Sequence, residues 1–584
     1  MLLHVTVFLA AVFVIGQSVF LSLNLWDNFA RQDNDDILRL VMVRDFIAGQ
    51  GWYDVVQYRI LPPDGMPLHW SRYIDAAIAA IIVPLSYIFP MPVAELLGAS
   101  IWPALIQLIS LTIIAFGTQR IFGTVAACFA VICLVLWPVT GGWNSAAGNI
   151  DHHNVQILMM TLMAICAVWP GRPFAAGTLG GLAAAFSLAV GLETLPFALG
   201  VGTIMLSRML FSQTDGATTA VLAFCTALSI GSVAFWAGQT APDQWLRPMC
   251  DRLSTPVLAL VWIAALASSL PAIILRSKAN ASWRFLATFL LALTGTIVAW
   301  PLLSQCLGGP YGNLPQHLQD FISEGVGEAL PGIRYFLHYP AATMLFLPAL
   351  TVAPILIGLN LFNNWHVESM TSERRTALLG FGFLSMIGFG MMLVQMRAIT
   401  LSAAIIPIIA GYFLSLFLGC YLRTRAIGAA FGGLVSIMIF IVPSTLSIVL
   451  HPLLPQARAP LSGGAECRTY DALIALNEVP PALLMTDFNS APGILWLTHH
   501  DTLSGGFHTS ATALANGVIP FGLEEQHLQD YLAATHATHF LICRNTTYPG
   551  AFVTALSAGV TDVGWLRRIP LSDPHPMLFE VLPE

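Results

Sequence analysis

Ile74-Asp75-Ala76-Ala77-Ile78-Ala79-Ala80-Ile81-Ile82-Val83-Pro84-Leu85-Ser86-Tyr87-Ile88-Phe89 is the stretch on which the topology of this chain turns. It is apolar, and whether it crosses a membrane decides which side every later loop faces. Thirteen other apolar stretches approach the roughly 20 residues that a spanning helix needs. They fall at about 4–25, 95–117, 121–138, 153–169, 174–191, 195–212, 217–237, 255–275, 285–304, 337–362, 376–395, 399–420 and 426–448. With 74–89 left out of the membrane, the short loops on one side hold Arg120, Arg172, Arg208, Arg276, Lys278, Arg284, Arg374, Arg375, Arg423 and Arg425. The positive-inside rule makes that side cytoplasmic. If 74–89 crossed, the loops after it would exchange sides and much of this agreement would vanish. We therefore expect 74–89 to be an interfacial or re-entrant helix.

Composition supports the membrane reading. Hydrophobic residues make up 56% of the 584 positions and charged residues 9%, with a mean hydropathy of +0.74. Soluble domains carry about 25% charge. A net charge of −7, with Lys278 the sole lysine, excludes a nucleic-acid partner. The N-terminal run 4–25 has no basic residues before it and no small-residue cleavage site after it, so it reads as a retained signal anchor. The expected fold is a polytopic α-helical membrane protein with about thirteen transmembrane helices (residues 1–449) and a C-terminal α/β extracytoplasmic domain (450–584). Strand-like runs at 482–486, 540–543 and 577–581 alternate with helical ones there.

The outer face then collects the polar segments: a long first loop at 26–94, 139–152, 238–254, a mobile loop at 305–336, and everything after 450. The first loop opens Gln32-Asp33-Asn34-Asp35-Asp36 and continues through Arg39, Arg44, Arg59, His69 and Arg72. Three carboxylates in four residues repel one another unless a cation offsets them, and Mg²⁺ or Mn²⁺ prefers such oxygen ligands. The simpler reading is a solvated helix start, since Asp is favoured at N-caps. The second loop ends Asp151-His152-His153 before a span. Capping accounts for Asp151, but not for two adjacent histidines, which could join a metal held by the first loop.

In 305–336, Phe321-Ile322-Ser323-Glu324-Gly325-Val326-Gly327-Glu328 places acids on a glycine-flanked stretch, as a base or as ordinary solvated loop residues. Arg397 lies between two apolar runs, where a cation implies an anionic partner or a side chain snorkelling to the interface. Nine cysteines show no C-x-x-C pairing. Cys467 and Cys543 fall in the outer domain, and Cys250 and Cys306 in outer loops, where disulfides are permitted. Cys467–Cys543 is the pairing considered.

Together these motifs resemble the catalytic subunit of oligosaccharyltransferase, a GT-C glycosyltransferase that uses polyprenyl-linked donors. Asp35 stands nine positions before Arg44, as the family's metal-binding Asp precedes a basic residue. Asp151-His152-His153 is similar to the Asp-His-His of some archaeal members. Ile322-Ser323-Glu324 is similar to the family's outer-loop signature with its hydroxyl displaced, and Arg397 resembles the basic residue that binds the donor pyrophosphate. The Trp-Trp-Asp-Tyr-Gly motif that reads the acceptor sequon is degenerate: its counterpart is Leu484-Met485-Thr486-Asp487-Phe488-Asn489-Ser490.

The resemblance implies a membrane glycosyltransferase moving a sugar or glycan from a polyprenyl phosphate or pyrophosphate to an extracytoplasmic acceptor, with inversion. It implies a divalent metal (Mg or Mn) on Asp35 and Asp151 with Asp33, Asp36 or His152. Arg397 is assigned to donor phosphate with Arg59, Arg72 and His69, Glu324 to base chemistry beside Asp35 and Asp151, and Asp487 and Phe488 to the acceptor. With the tryptophans gone, a glycolipid or cell-envelope polysaccharide is the favoured acceptor. An oligosaccharyltransferase with a diverged acceptor pocket, a transporter and a non-catalytic assembly protein are the alternatives. Acids gathered in loops and no repeated halves count against transport. The expected location is the plasma (inner) membrane, among its lipids, with the active site outside.

Overall fold

The computed structural model describes residues 1–212, 214–275, 280–363, 370–457 and 464–583. Arg276 and Lys278, two of the cations that set the orientation, lie outside the described residues. Among the described residues ten helices are long and apolar enough to cross a membrane, and eleven if the pair Ile427–Phe440 and Pro443–Leu453, bent by 91°, counts as one span. The expected number was thirteen. The other two positions are held by apolar helices too short for that test, Thr124–Leu136 and His153–Val168. At 16 residues the longer reaches about 24 Å, less than the ~30 Å hydrocarbon core.

One span keeps a largely apolar surface outward: no residue in the hydropathic window of Ala281–Cys306 is buried. Water would not tolerate that surface, and lipid would. Where spans do meet, small residues bring backbones together. A Cβ added at Gly177 or Gly181 would sit 2.3 Å from the Ala220 carbonyl oxygen or 2.4 Å from that of Phe224. This contact fixes the helix Pro173–Val190 against Asp215–Gln239, and so positions the turn that follows it.

The stretch 74–89 forms the helix Arg72–Ser86, which is 15 residues long and not among the candidate spans. Its Ile82 fills the space left by Gly98 on the next helix. Its first turn carries Arg72 and Asp75, both buried.

The C-terminal region holds a five-stranded mixed sheet in the order Asp501–Thr502, Leu483–Met485, His539–Cys543, Pro576–Val581, Leu566–Ile569. The first three strands run parallel and the last two antiparallel to their neighbours. Three of the five match the sequence expectation. Asp501–Thr502 is too short to show a period, and Leu566–Ile569 is an edge strand with two exposed arginines, the charged edge that discourages further pairing.

Among the described residues two disulfides occur, Cys467–Cys543 within this region and Cys250–Cys306 between two loops. The first loop is welded to the sheet. Leu61 N–H donates to the Thr502 carbonyl at 2.8 Å, and Thr502 N–H to that of Arg59 at 2.9 Å.

Candidate active site

The helix Asn34–Ile47 begins at Asp33, whose side chain accepts the Asp35 N–H as an N-cap. Capping thus explains Asp33 and the direction of the helix. It does not explain Asp36, which is 1% exposed. Asp36 Oδ1 accepts the backbone N–H groups of Ile150 and Asp151 at 2.7 and 2.8 Å, docking the second loop onto the first. One turn after Asp35, Arg39 is fully buried. Its guanidinium donates to Asp75 and to Asp151, each at 3.1 Å, and lies 4.5 Å above the Trp70 ring. Arg72 reaches the other oxygen of Asp75 at 3.1 Å. Buried charges of this kind are tolerated only when paired and hydrogen-bonded. Here they hold Asp151 in one position.

Asp151 meets His152 Nδ1 at 2.6 Å through Oδ1, and His153 Nε2 at 3.4 Å through Oδ2. These three side chains offer ligand atoms within 4.8 Å of one another. Burial pushes Asp151 up, but His152 and His153 outweigh it and hold its carboxyl well below the usual range. Burial favours the neutral His152 ring, yet Asp151 lifts its pKa to about 10. Asp35 has no such partner. Burial, then the charges of Asp151, Asp33 and Glu328, raise it well above an ordinary carboxyl.

Crowded acids with a raised proton affinity are what a cation would relieve. His152 Nε2 is buried with no hydrogen-bond partner, 3.7 Å from Glu193 Oε1. A Cβ at Gly191 would fall 2.4 Å from Glu193 Oε2 and 3.2 Å from His152 Nε2, so glycine there keeps the space open. The residues present therefore fit a divalent ion on the Asp35–Asp151 side of the cavity.

That cavity, of about 680 Å³, is lined by Asp33, Asp35, His152, His153, Glu193, Glu328 and Arg397, and by Phe488 and Asn489 from the C-terminal region. Arg397 pairs with Glu328 and, at 3.7 Å, with Glu193. Burial works against its charge, but Glu328 outweighs this and raises its pKa.

Several expected site residues stand elsewhere. Asp36 spends Oδ1 on backbone amides, its Oδ2 is buried without a hydrogen-bond partner, and it does not line the cavity. Arg59 clasps the end of the helix Ala491–Leu497, donating to the carbonyls of Leu495 and Thr498 at 2.7 and 2.8 Å and pairing with Asp501 at 3.2 Å. A cation at a helix C-terminus satisfies its unpaired carbonyls, so Arg59 is a clamp between domain and loop rather than a phosphate contact. Arg72 is walled in with Asp75 and the carbonyls of Trp52 and Asp54. Glu324 points outward, 67% exposed and paired with Arg334; Glu328, beyond the end of that helix, faces the cavity instead. Asp487 spends both oxygens on its own turn, accepting from Asn489 N–H at 3.0 Å and Ser490 Oγ at 2.6 Å. Its neighbour Asn489 faces the cavity, accepting from Asn34 Nδ2 at 2.9 Å. His69 does line the cavity.

Glu193 was not anticipated, although a lone acid between the spans 174–191 and 195–212 carried the signal. Arg39 and Asp75 were invisible as partners, being 36 residues apart.

Solved structures share this arrangement of elements. The oligosaccharyltransferase of Archaeoglobus fulgidus in its apo form superposes with a TM-score of 0.69 at 12% identity, over 93% of this chain and 70% of that one. The chain has the GT-C fold. The same archaeal enzyme in complex with an inhibitory peptide and a dolichol-phosphate gives 0.64 at 10% identity, covering 93% and 70%. Its complex with Zn and sulfate gives 0.63 at 12%, covering 92% and 68%. No family model and no curated protein matches the sequence. At such low identity, the likeness resides in the placement of helices and not in a shared sequence.

Proposed function

We propose that this protein is a membrane glycosyltransferase that moves a sugar or glycan from a polyprenyl phosphate or pyrophosphate to an extracytoplasmic glycolipid or polysaccharide. The observation that carries this reading is one cavity lined by carboxylates and imidazoles and by Arg397, which is paired there with Glu328 and Glu193. The resemblance of its motifs to a polyprenyl-dependent family points the same way, as does the GT-C fold.

Asp35 and Asp151, with Asp33 and His152 or His153, would hold a divalent cation. When bound, it supplies Lewis-acid neutralisation of the leaving phosphate. Arg397 binds the donor phosphate, exchanging its Glu328 partner for phosphate oxygens; preorganised positive charge at a developing anion lowers the barrier. Glu328, released and already in the cavity, takes the place first given to Glu324. It accepts the acceptor hydroxyl proton as the new C1–O bond forms on the face opposite the departing phosphate, which leaves with the electron pair of the old bond. The anomeric centre is inverted.

Arg39, Asp36 and Asp75 act through Asp151, by fixing its position. Asp487 is committed to its own turn and the tryptophan pair is missing, so no hydroxyl-reading pocket is available; this favours a glycan acceptor over a protein Asn. Two disulfides, in the C-terminal domain and in the loops beside it, favour an oxidising compartment for this face, consistent with an active site outside the plasma (inner) membrane.

The test is mass spectrometry of lipid-linked intermediates and surface glycans from a deletion strain complemented with wild type or Asp35→Asn. We expect a lipid-linked sugar to accumulate in the deletion and in the variant, with transfer reduced by about 10²–10³-fold, the scale for losing one charge-stabilising group. Identical lipid and glycan profiles at normal protein levels would overturn the reading.

A further inference from the structure

A second group of ligating side chains lies outside the cluster assigned above. We infer that His69, Asp251 and His508 form a distinct Zn²⁺ site that staples the C-terminal domain to two loops of the membrane domain. The three come from distant parts of the chain: the first loop, the segment 240–254, and the Gly505-Gly506-Phe507-His508 turn. Each offers one ligand atom, and these atoms lie within 4.8 Å of one another. The His69 and His508 ring centroids are 4.7 Å apart, and His508 Nε2 is 3.5 Å from Asp251 Oδ2. The other oxygen of Asp251 is turned to Arg252, 3.4 Å away, so one carboxylate oxygen is left for a metal.

An ion pair between His508 and Asp251, with His69 as packing, is the simpler account. It leaves two facts unexplained. His69 Nδ1 is buried without a hydrogen-bond partner, and buried polar atoms are rarely left so. It also leaves unexplained why two imidazole rings from distant parts of the chain are brought together, 4.7 Å apart and tilted by 49°. A metal answers both, because each neutral ring donates a lone pair to it.

The donor set selects the metal. Two imidazoles and one carboxylate suit zinc rather than Mg²⁺ or Mn²⁺, which prefer oxygen. Ligand bonds of about 2.0–2.1 Å in a tetrahedron put donors about 3.4 Å apart, so small rotations of the side chains would complete the site. His69 and His508 also line the cavity, which leaves the fourth position open to water or to a ligand there. Asp251 is anchored by its neighbour Cys250 through the bond to Cys306, and Tyr311, a few residues beyond Cys306, packs its ring 5.3 Å from His508. A tethered loop of this kind is a preorganised platform for one ligand.

The experiment uses the full-length protein in detergent, stripped with a chelator and dialysed against buffered free Zn²⁺. We expect His69→Ala/His508→Ala to bind one zinc per chain fewer than wild type. We also expect zinc to raise the thermal midpoint of wild type by several degrees more than that of the double variant. If the double variant does not fold, crystals of zinc-loaded wild type should show anomalous density at the zinc edge between the three side chains. Equal zinc content in wild type and a folded double variant, or no density at that point, overturns the site. None of these readouts depends on glycosyl transfer.

Discussion

The two walls of the cavity are built on different principles. The wall formed by the first two outer loops is a closed network: Arg39 and Asp75 are 0% and 2% exposed, Asp151 is 7% exposed, and each has two or more charged partners. The wall formed by 305–336 is connected by single contacts. Glu328 is 41% exposed and pairs with Arg397, and Glu324 and Arg334 are paired in the open. Exposed pairs contribute little, whereas removing one member of a buried network strands its partners. The difference teaches where each task sits: the first wall holds its groups in one geometry, and the second exchanges partners as substrates enter.

The comparison breaks most severely at Arg39. Arg39→Leu leaves Asp151 without its guanidinium and Asp75 with Arg72 alone, and should cost about 3–5 kcal/mol. Thermal unfolding in detergent and the yield of folded protein measure this; a variant as stable as wild type would show that the network is not load-sharing. Arg397→Lys acts on the opposite wall. It should leave stability near wild type and raise the KM for donor by about tenfold, because an ammonium cannot make the bidentate contact of a guanidinium. Equal losses of stability in the two variants would erase the distinction.

Acid sharpens it further. His500 is buried in the C-terminal region, where Nδ1 accepts the Ala482 N–H at 3.1 Å and Nε2 meets the Leu476 carbonyl at 2.8 Å. That arrangement needs a neutral ring, and burial lowers its pKa from 6.5. The stability it contributes is therefore full above an unfolded pKa of about 6.5 and is lost as pH falls from there towards the lower folded value. Limited proteolysis between pH 7 and 5 should release C-terminal fragments first. His500→Gln should flatten that pH dependence. The smallest effect is expected at Glu324→Gln, with transfer within about twofold of wild type, as for surface changes away from special features. A large loss there would return the base to Glu324.

How much could be read in advance follows from the range of each interaction. Span positions depend on the free energy of moving about 20 consecutive side chains into hydrocarbon, a sum over neighbours in sequence. The stretches at 95–117 and 217–237 accordingly recur as helices Met91–Phe122 and Asp215–Gln239. The count slipped where helices are short, at Thr124–Leu136 and His153–Val168. Distribution of arginines among short loops is also additive along the chain, and it kept 74–89 out of the membrane in the reading, where the structure has the 15-residue helix Arg72–Ser86.

Motif spacing drew attention to Asp35, Asp151 and Arg397; Asp35 and Arg397 line the cavity, and Asp151 contacts His152 and His153, which line it too. Spacing had no means of choosing between Glu324 and Glu328, four residues apart, since the choice rests on which faces Arg397. Nor could it tell that Arg59 and Arg72 were already bonded to a helix end and to Asp75. The sequence by itself determined that this is a many-helix membrane protein with acids, imidazoles and an arginine in its loops. Only the tertiary structure decided which of those charges are paired, because a buried charge finds its partner across 36 residues at Arg39–Asp75 and 112 at Arg39–Asp151. Such pairings are selected by desolvation in the folded interior, and no local pattern records them.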